Sequence, residues 1–223
     1  MTLTLHSVAD TLLGLLFPDR CASCGRGGSL FCAACRAQLR AYPPGSPTVI
    51  HAADQAFPLD GAAVAFIFEG PLRDAMHCFK YKAIRRMAQP LAELLNAYLD
   101  QYPLPADAII PVPLHRKRLR ERGFNQSELL AHRLSRQSGL PVLTEGLVRG
   151  RHTQQQAHLD MQGRQENVRD AFVWRGKTAP PDRVLILDDV LTTGATIGAC
   201  AQTLRAAGSR EVRALALGRS RPE

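Results

Sequence analysis

Asp188 and Asp189 stand side by side at the end of an apolar run, and Thr192, Thr193, Gly194, Ala195 and Thr196 follow after Val190 and Leu191. Small hydroxyl residues and a glycine ahead of a helix-like segment suit an anion such as phosphate, because the first amide N–H groups of a helix lack partners within it. A phosphate alone does not favour two carboxylates beside it, but a sugar phosphate does. Carboxylates accept hydrogen bonds from ribose hydroxyls, as in dinucleotide-binding folds. The amides and hydroxyls then hold the 5′-phosphate, with the helix dipole adding about 1 kcal/mol. Acid pair and cradle would grip opposite ends of one ribose phosphate.

A second chemical feature is basic. "PVPLHRKRLRERGFNQ", residues 111 to 126, carries Arg116, Lys117, Arg118, Arg120 and Arg122 against Glu121 alone. It leaves a strand-like segment and enters a helix-like one, and in open α/β sheets ligands bind outside the carboxyl ends of strands. A basic loop there is placed for an anion; the alternatives are a solvated loop and a generic nucleic-acid patch. "RGRHTQQQAHLDMQGRQENVRDAF", residues 149 to 172, offers Arg151, Thr153, Gln156, Arg164 and Asn167 to a polyoxygenated ligand, although by composition alone it is a polar loop. "GKT" at 176 to 178 is not a P-loop: Ala171 stands where the upstream glycine belongs, and Pro180 and Pro181 follow instead of a helix.

The third feature is "CASCGRGGSLFCAAC". Cys21 and Cys24 form one C-x2-C pair and Cys32 and Cys35 another. Four thiolates suit tetrahedral zinc, each pair supplying two corners, and a site with all four corners filled is structural rather than catalytic. The alternative is four ordinary reduced or disulfide-paired cysteines. Zinc binding on the order of 10 kcal/mol would supply much of the folding free energy of so small a module. Cys78 and Cys200 fall on helix-like segments as packing residues.

The elements that must position these groups alternate. "AAVAFIFEG" (62 to 70), "DAIIPVP" (107 to 113), "PVLT" (141 to 144), "AFVW", "RVLIL" (183 to 187) and "EVRALALG" are strand-like. Helical segments lie between them: "LRDAMHCFKYKA", "MAQPLAELLNAYLDQY" with Pro90 in its first turn, "NQSELLAHRLSRQSG" with Asn125 as cap and Gly139 as terminator, and the stripe Ile197, Cys200, Ala201, Leu204. Alternation of this kind argues for a mostly parallel α/β sheet. "AYPPGSPT" (41 to 48) reads as a linker, which divides the chain into 1–44, an N-terminal helix and cysteine module, and 49–223, the α/β domain.

The 223 residues carry a formal net charge of +8, which favours polyanionic or phosphorylated partners. Apolar and charged fractions of 45% and 22% are those of a soluble globular protein. The first twenty residues lack a basic n-region and are too short and interrupted to span a bilayer, so a cytoplasmic protein without membrane insertion is expected.

"VLILDDVLTTGATI" resembles the PRPP-binding motif of type I phosphoribosyltransferases. "RLRERGFNQ" resembles the R-x-x-x-R-G-F-N-Q stretch of the ComF competence-protein family, and residues 151 to 172 its T-x-x-Q, R-x-x-N-V and A-F stretch; the cysteine module is similar to the zinc domain of many members. The resemblance implies a type I phosphoribosyltransferase fold with a small four-cysteine zinc module. It implies that Asp188 and Asp189 contact the ribose hydroxyls and that Thr192 to Thr196 bind the 5′-phosphate. The segment carrying Pro113, Arg116, Arg118, Arg120, Arg122, Asn125 and Gln126 would face pyrophosphate, and residues 151 to 164 would close over the site. Magnesium would bridge pyrophosphate and ribose oxygens. The implied activity is displacement of pyrophosphate from PRPP by an unidentified nitrogen acceptor, in a protein associated with DNA uptake and natural transformation. The other reading is a non-catalytic competence factor that binds single-stranded DNA, with PRPP or a nucleotide as effector.

Overall fold

The structure, a computed structural model, describes residues 19–42, 51–52, 55–56, 59–150 and 171–220. The expected N-terminal helix lies outside the described residues, as do Arg151, Thr153, Gln156, Arg164 and Asn167 of the expected closing loop. In chain order the elements are α1 (Ala33–Arg36), β1 (His51–Ala52), β2 (Gln55–Ala56), β3 (Gly61–Ile67), α2 (Gly70–Tyr81), α3 (Ala88–Gln101), β4 (Ala108–Pro111), α4 (Arg116–Arg122), α5 (Gln126–Ser138), β5 (Leu147–Arg149), β6 (Phe172–Trp174), β7 (Arg183–Leu191), α6 (Ala195–Ala206) and β8 (Glu211–Arg219).

Local chemistry accounts for most of these boundaries. Pro71 lies in the first turn of α2 and Pro90 in that of α3, where a missing N–H costs little. The Asn125 side chain accepts from the Ser127 N–H and starts α5; Gly139, at φ 72°, ends it with the left-handed geometry that glycine adopts without strain.

β3, β8, β7 and β4 form a parallel sheet in that order, the parallel α/β architecture expected. "PVLT" is not a full strand. It contributes one parallel bridge, Val142 to Ile109, held by the bonds Ile109 N–H to Pro141 O and Leu143 N–H to Ile109 O, both 2.9 Å. This bridge still extends the sheet beyond β4.

Two apolar layers cover the sheet. On one, Leu72 and Phe79 of α2, Leu91 and Leu95 of α3 and Leu130 and Leu134 of α5 pack with Leu185, Leu187, Leu215 and Leu217. On the other, Ile197, Cys200 and Leu204 of α6, with Leu147 and Phe172, pack with Val184, Ile186, Val212 and Ala214. The two sets alternate along β7 and β8, as period-two side chains of a strand buried on both faces must.

Phe31, Cys21, Cys32 and Cys35 belong to the same buried cluster as α2 and α3. Residues 40 to 42 run along the edge of β3, with Ile67 N–H donating to Arg40 O at 2.8 Å and Tyr42 N–H to Ala65 O at 3.1 Å. Arg86 donates to both Asp19 oxygens, Arg36 pairs with Glu93 at 2.8 Å, and Ser23 Oγ donates to Asp74 at 2.8 Å. No helix among the described residues is long and apolar enough to cross a membrane.

Candidate functional site

From β4 the chain leaves toward Val142, away from β7; from β7 it leaves toward β8, away from β4. Adjacent strands whose connections diverge open a crevice at their carboxyl ends. A cleft of about 780 Å³ lies there, and its lining includes Asp188 and Asp189, Thr192 and Thr196, Arg118 and Arg122, and Gln126. Residues far apart in the chain thus meet at one site.

β7 runs past Leu187, where the apolar run suggested its end, and carries both acids on the strand itself. Successive strand side chains diverge, and the two carboxylates accordingly have different partners. Asp189 is buried and takes Lys80 Nζ at 2.8 Å. Asp188 Oδ1 accepts from Ser127 Oγ at 3.1 Å and from the Asp189 N–H at 2.8 Å. After β7, Gly194 adopts φ 82° and starts α6, while Thr193 Oγ1 accepts the Ala195 N–H at 3.4 Å. Thr193, Gly194 and Ala195 thus build the turn, and Thr192 and Thr196 face the cleft.

The basic segment is a helix, α4, rather than a loop, closed by Gly123 at φ 77°. Its 3.6-residue period sorts the arginines. Arg118 and Arg122, one turn apart, line the cleft; Arg116 and Arg120, on the other side, are exposed and outside its lining, as is Lys117. Pro113 is also outside, while its neighbours Val112 and Leu114 line the cleft. Asn125 works internally, capping α5 and donating to Val112 O at 3.0 Å, which pins the end of β4. Gln126 Oε1 accepts from Arg122 at 2.7 Å; its buried Nε2 meets no acceptor among the described residues.

Several lining groups carried no sequence reading. Arg149 ends β5, packs its guanidinium over Phe172 at 5.3 Å, and lines the cleft. Lys80, with Arg73, His77 and Tyr81, brings one face of α2 to the site, and Ser127 anchors Asp188. A signal for α2 existed: Arg73, His77 and Tyr81 recur at four-residue intervals on a helix whose buried residues are Leu72, Ala75, Met76, Cys78 and Phe79. What that stripe faces is decided by packing.

The electrostatics favour an anion against the cationic wall. Burial, followed by the charge of Arg122, depresses the Arg118 guanidinium from its usual range; burial, followed by the charge of Arg118, does the same to Arg149. Desolvated like charges gain when a counter-charge enters.

The floor behaves oppositely. Burial and then the Asp189 charge push Asp188 up to about 7, against the pull of Lys80, the Asp189 N–H and Ser127. A carboxylate raised above its unfolded value supports the fold at low pH and loses that contribution as pH rises through the folded value. The ligand-free chain is therefore expected to lose up to roughly 4 kcal/mol between pH 4 and pH 8 from this group. Urea titrations across that range check it: Asp188→Asn should flatten the slope, and an unchanged slope would remove Asp188 as its source.

The four cysteine sulfurs of the N-terminal module lie within 4.8 Å of one another, and all six cysteines are free, so disulfide pairing is not the arrangement found. Burial raises the Cys21 thiol, but N–H groups of Cys24, Cys32 and Ser23 outweigh it and bring it down to about 6. Burial and the three neighbouring sulfurs push Cys35 up to about 12. Four thiolates at this spacing need a central cation, and the donor set is compatible with structural zinc.

No family model matches the chain. It is 35% identical over 158 residues to competence protein F of Haemophilus influenzae, covering 67% of this chain and 69% of that protein. It is 34% identical over 159 residues to the DNA utilization protein YhgH of Salmonella typhi, covering 67% and 68%. Among solved structures, a purine phosphoribosyltransferase from Pyrococcus horikoshii aligns at a TM-score of 0.35 and 16% identity, over 59% of this chain and 81% of that one.

Proposed function

This chain belongs to the family of competence protein F and the DNA utilization protein YhgH, and from that premise we propose that its cleft binds PRPP and transfers the phosphoribosyl group to a nitrogen acceptor with release of pyrophosphate. The observation that carries the reading is the meeting, in one cleft, of an acid pair, a Thr-Gly helix start and a wall of three arginines. Each part matches one part of the donor. Asp188 and Asp189 accept hydrogen bonds from the ribose hydroxyls. The N-terminal amides of α6, with Thr192 and Thr196, hold the 5′-phosphate. Arg118, Arg122 and Arg149 face the leaving pyrophosphate, where their charge stabilises the departing anion more than the bound ester. Magnesium, entering on the donor's own oxygens, would neutralise part of the pyrophosphate charge; Asp189 is already engaged by Lys80.

Calorimetry with PRPP and magnesium, followed by pyrophosphate release across a panel of bases and nucleic acids, tests the reading. Arg118→Ala combined with Arg122→Ala is expected to weaken PRPP binding roughly 100-fold or more, since charge-assisted bonds contribute about 1.5–3 kcal/mol each and every 1.4 kcal/mol is about tenfold. Arg116→Ala combined with Arg120→Ala should change it less than about twofold. Equal effects from the two pairs would remove α4 from the donor site, and absence of PRPP binding by the unaltered chain would remove the reading itself.

The second reading, single-stranded DNA binding without transfer, draws on the exposed outer face of α4 with Arg116, Lys117 and Arg120 and on the net charge of +8. PRPP binding without pyrophosphate release, together with salt-sensitive DNA binding lost in the Arg116/Arg120 pair, would favour it.

A further inference from the structure

Arg149 differs from the other two arginines of the wall in what carries it. Arg118 and Arg122 project from α4, whereas Arg149 ends a ribbon of only three residue pairs, β5 with β6. A lone two-stranded ribbon of that length does not hold itself in one place. Its load is also unfavourable: Arg149 is 9% exposed and lies in the field of Arg118. A buried guanidinium beside a like charge gains by swinging out to water, so something must fix the ribbon.

The register pairs Leu147 with Trp174, Val148 with Val173 and Arg149 with Phe172, so the two outer pairs share one face of the ribbon and the valines the other. Leu147 and Phe172 are buried, Trp174 packs against the same apolar layer, and Val173 is exposed. Arg149 and Trp174 thus stand at opposite ends of the inward face. Trp174, the one tryptophan of the chain, is where the ribbon is fastened. Its Nε1 donates to Thr178 O at 2.8 Å, and the backbone at Gly146 and at Gly176 lies so close to the indole that a Cβ on either would overlap the ring. Beside it, Arg175 N–H donates to Gly146 O at 2.7 Å. The "GKT" stretch at 176 to 178, which is not a P-loop, has a use here: Gly176 makes room for the ring and Thr178 takes its N–H. Trp174 itself does not line the cleft.

We infer that Trp174, seated on Gly146 and Gly176, is a positioning residue: it latches the β5–β6 ribbon so that Arg149 stays in the cleft beside Arg118, and it thereby sets part of the cleft's affinity for an anion that it does not touch. This rests on the reading of the arginine wall as the pyrophosphate site and adds the element that keeps the third arginine in place.

Calorimetry on the full chain, with inorganic pyrophosphate and magnesium as the probe, tests the latch through double-variant cycles. Gly176→Ala pushes a methyl group into the indole and should weaken pyrophosphate binding about tenfold, close to the loss in Arg149→Ala. In the Arg149→Ala background it should add less than about twofold, because the group it acts through is already gone; in the Arg122→Ala background its full effect should persist. Trp174→Phe gives up the Nε1 bond and part of the ring while adding no atom. It should show the same pattern on a smaller scale, and it carries the test should Gly176→Ala not fold. Losses that multiply in the Arg149→Ala background overturn the latch, since damage to the fold at large weakens every background alike. Unchanged affinity in both Gly176→Ala and Trp174→Phe overturns it as well. Absence of pyrophosphate binding by the unaltered chain overturns the pyrophosphate reading of the wall itself, and the role of the latch falls with it.

Discussion

Cys35→Ser is expected to abolish binding of one zinc ion per chain and to lower the melting temperature of the whole chain by about 10–20 °C. This shift corresponds to a loss of about 5 kcal/mol, well below the order of 10 kcal/mol that a structural zinc supplies, at about 2–4 °C per kcal/mol for a chain of this size. The effect should not stop at the module. Cys21, Phe31, Cys32 and Cys35 are buried in one cluster with Leu72, Phe79, Leu91 and Leu95, so releasing the sulfurs opens the surface on which α2 and α3 pack. The polar ties Arg86 to Asp19 and Arg36 to Glu93 are largely surface pairs and contribute little by themselves. Metal content by mass spectrometry and scanning calorimetry with and without chelator check this. A metal-free chain that melts at the same temperature would remove zinc from the fold, and a loss confined to a separate early transition would make the module an independent unit.

Lys80→Met should be the most damaging single change in the cleft, costing about 3–5 kcal/mol of stability. The side chains of Lys80 and Asp189 are 19% and 11% exposed, so the substitution leaves a buried carboxylate without its cation, directly beside Asp188. Two adjacent carboxylates then share a site from which a positive charge has been removed, and burial and repulsion both favour protonation. The deficit should therefore shrink as pH falls toward 5, because the variant's acids can neutralise each other's repulsion by taking up a proton. Lys80→Met combined with Asp189→Asn should recover most of the loss, since the stranded charge is gone. Urea denaturation of the four corners of that cycle at two pH values gives the coupling directly. If the double variant is as unstable as Lys80→Met alone, the ion pair is not what holds α2 against β7.

Much of the local structure is legible in the sequence because its causes are local. The β-branched run at 183 to 187, the Asn125 cap, the Gly139 terminator and the stripe of α6 each act through neighbouring residues, and each element forms as expected. The cysteine cluster is legible for the same reason, as two C-x2-C pairs sit close enough in the chain to converge. The basic segment reads as a loop because its charge conceals its period: a seven-residue helix with no buried residue shows no apolar stripe. "PVLT" is legible only as strand-forming; in the structure it makes one bridge, Val142 to Ile109.

By itself, then, the sequence determined which groups are present and in what local form: an acid pair after a strand-like run, a Thr-Gly helix start, four cysteines, and arginines in fixed succession. Only the tertiary structure decided which of them share a cleft. Diverging connections from β4 and β7 place the crevice, the helical period of α4 admits Arg118 and Arg122 and turns Arg116 and Arg120 out, and the packing of α2 brings in Lys80 and Tyr81. The physical reason is range. Caps, turns and periodicity are encoded within a few residues, whereas the direction in which a helix face points depends on the strand order beneath it, and that is set by contacts between residues far apart in the chain.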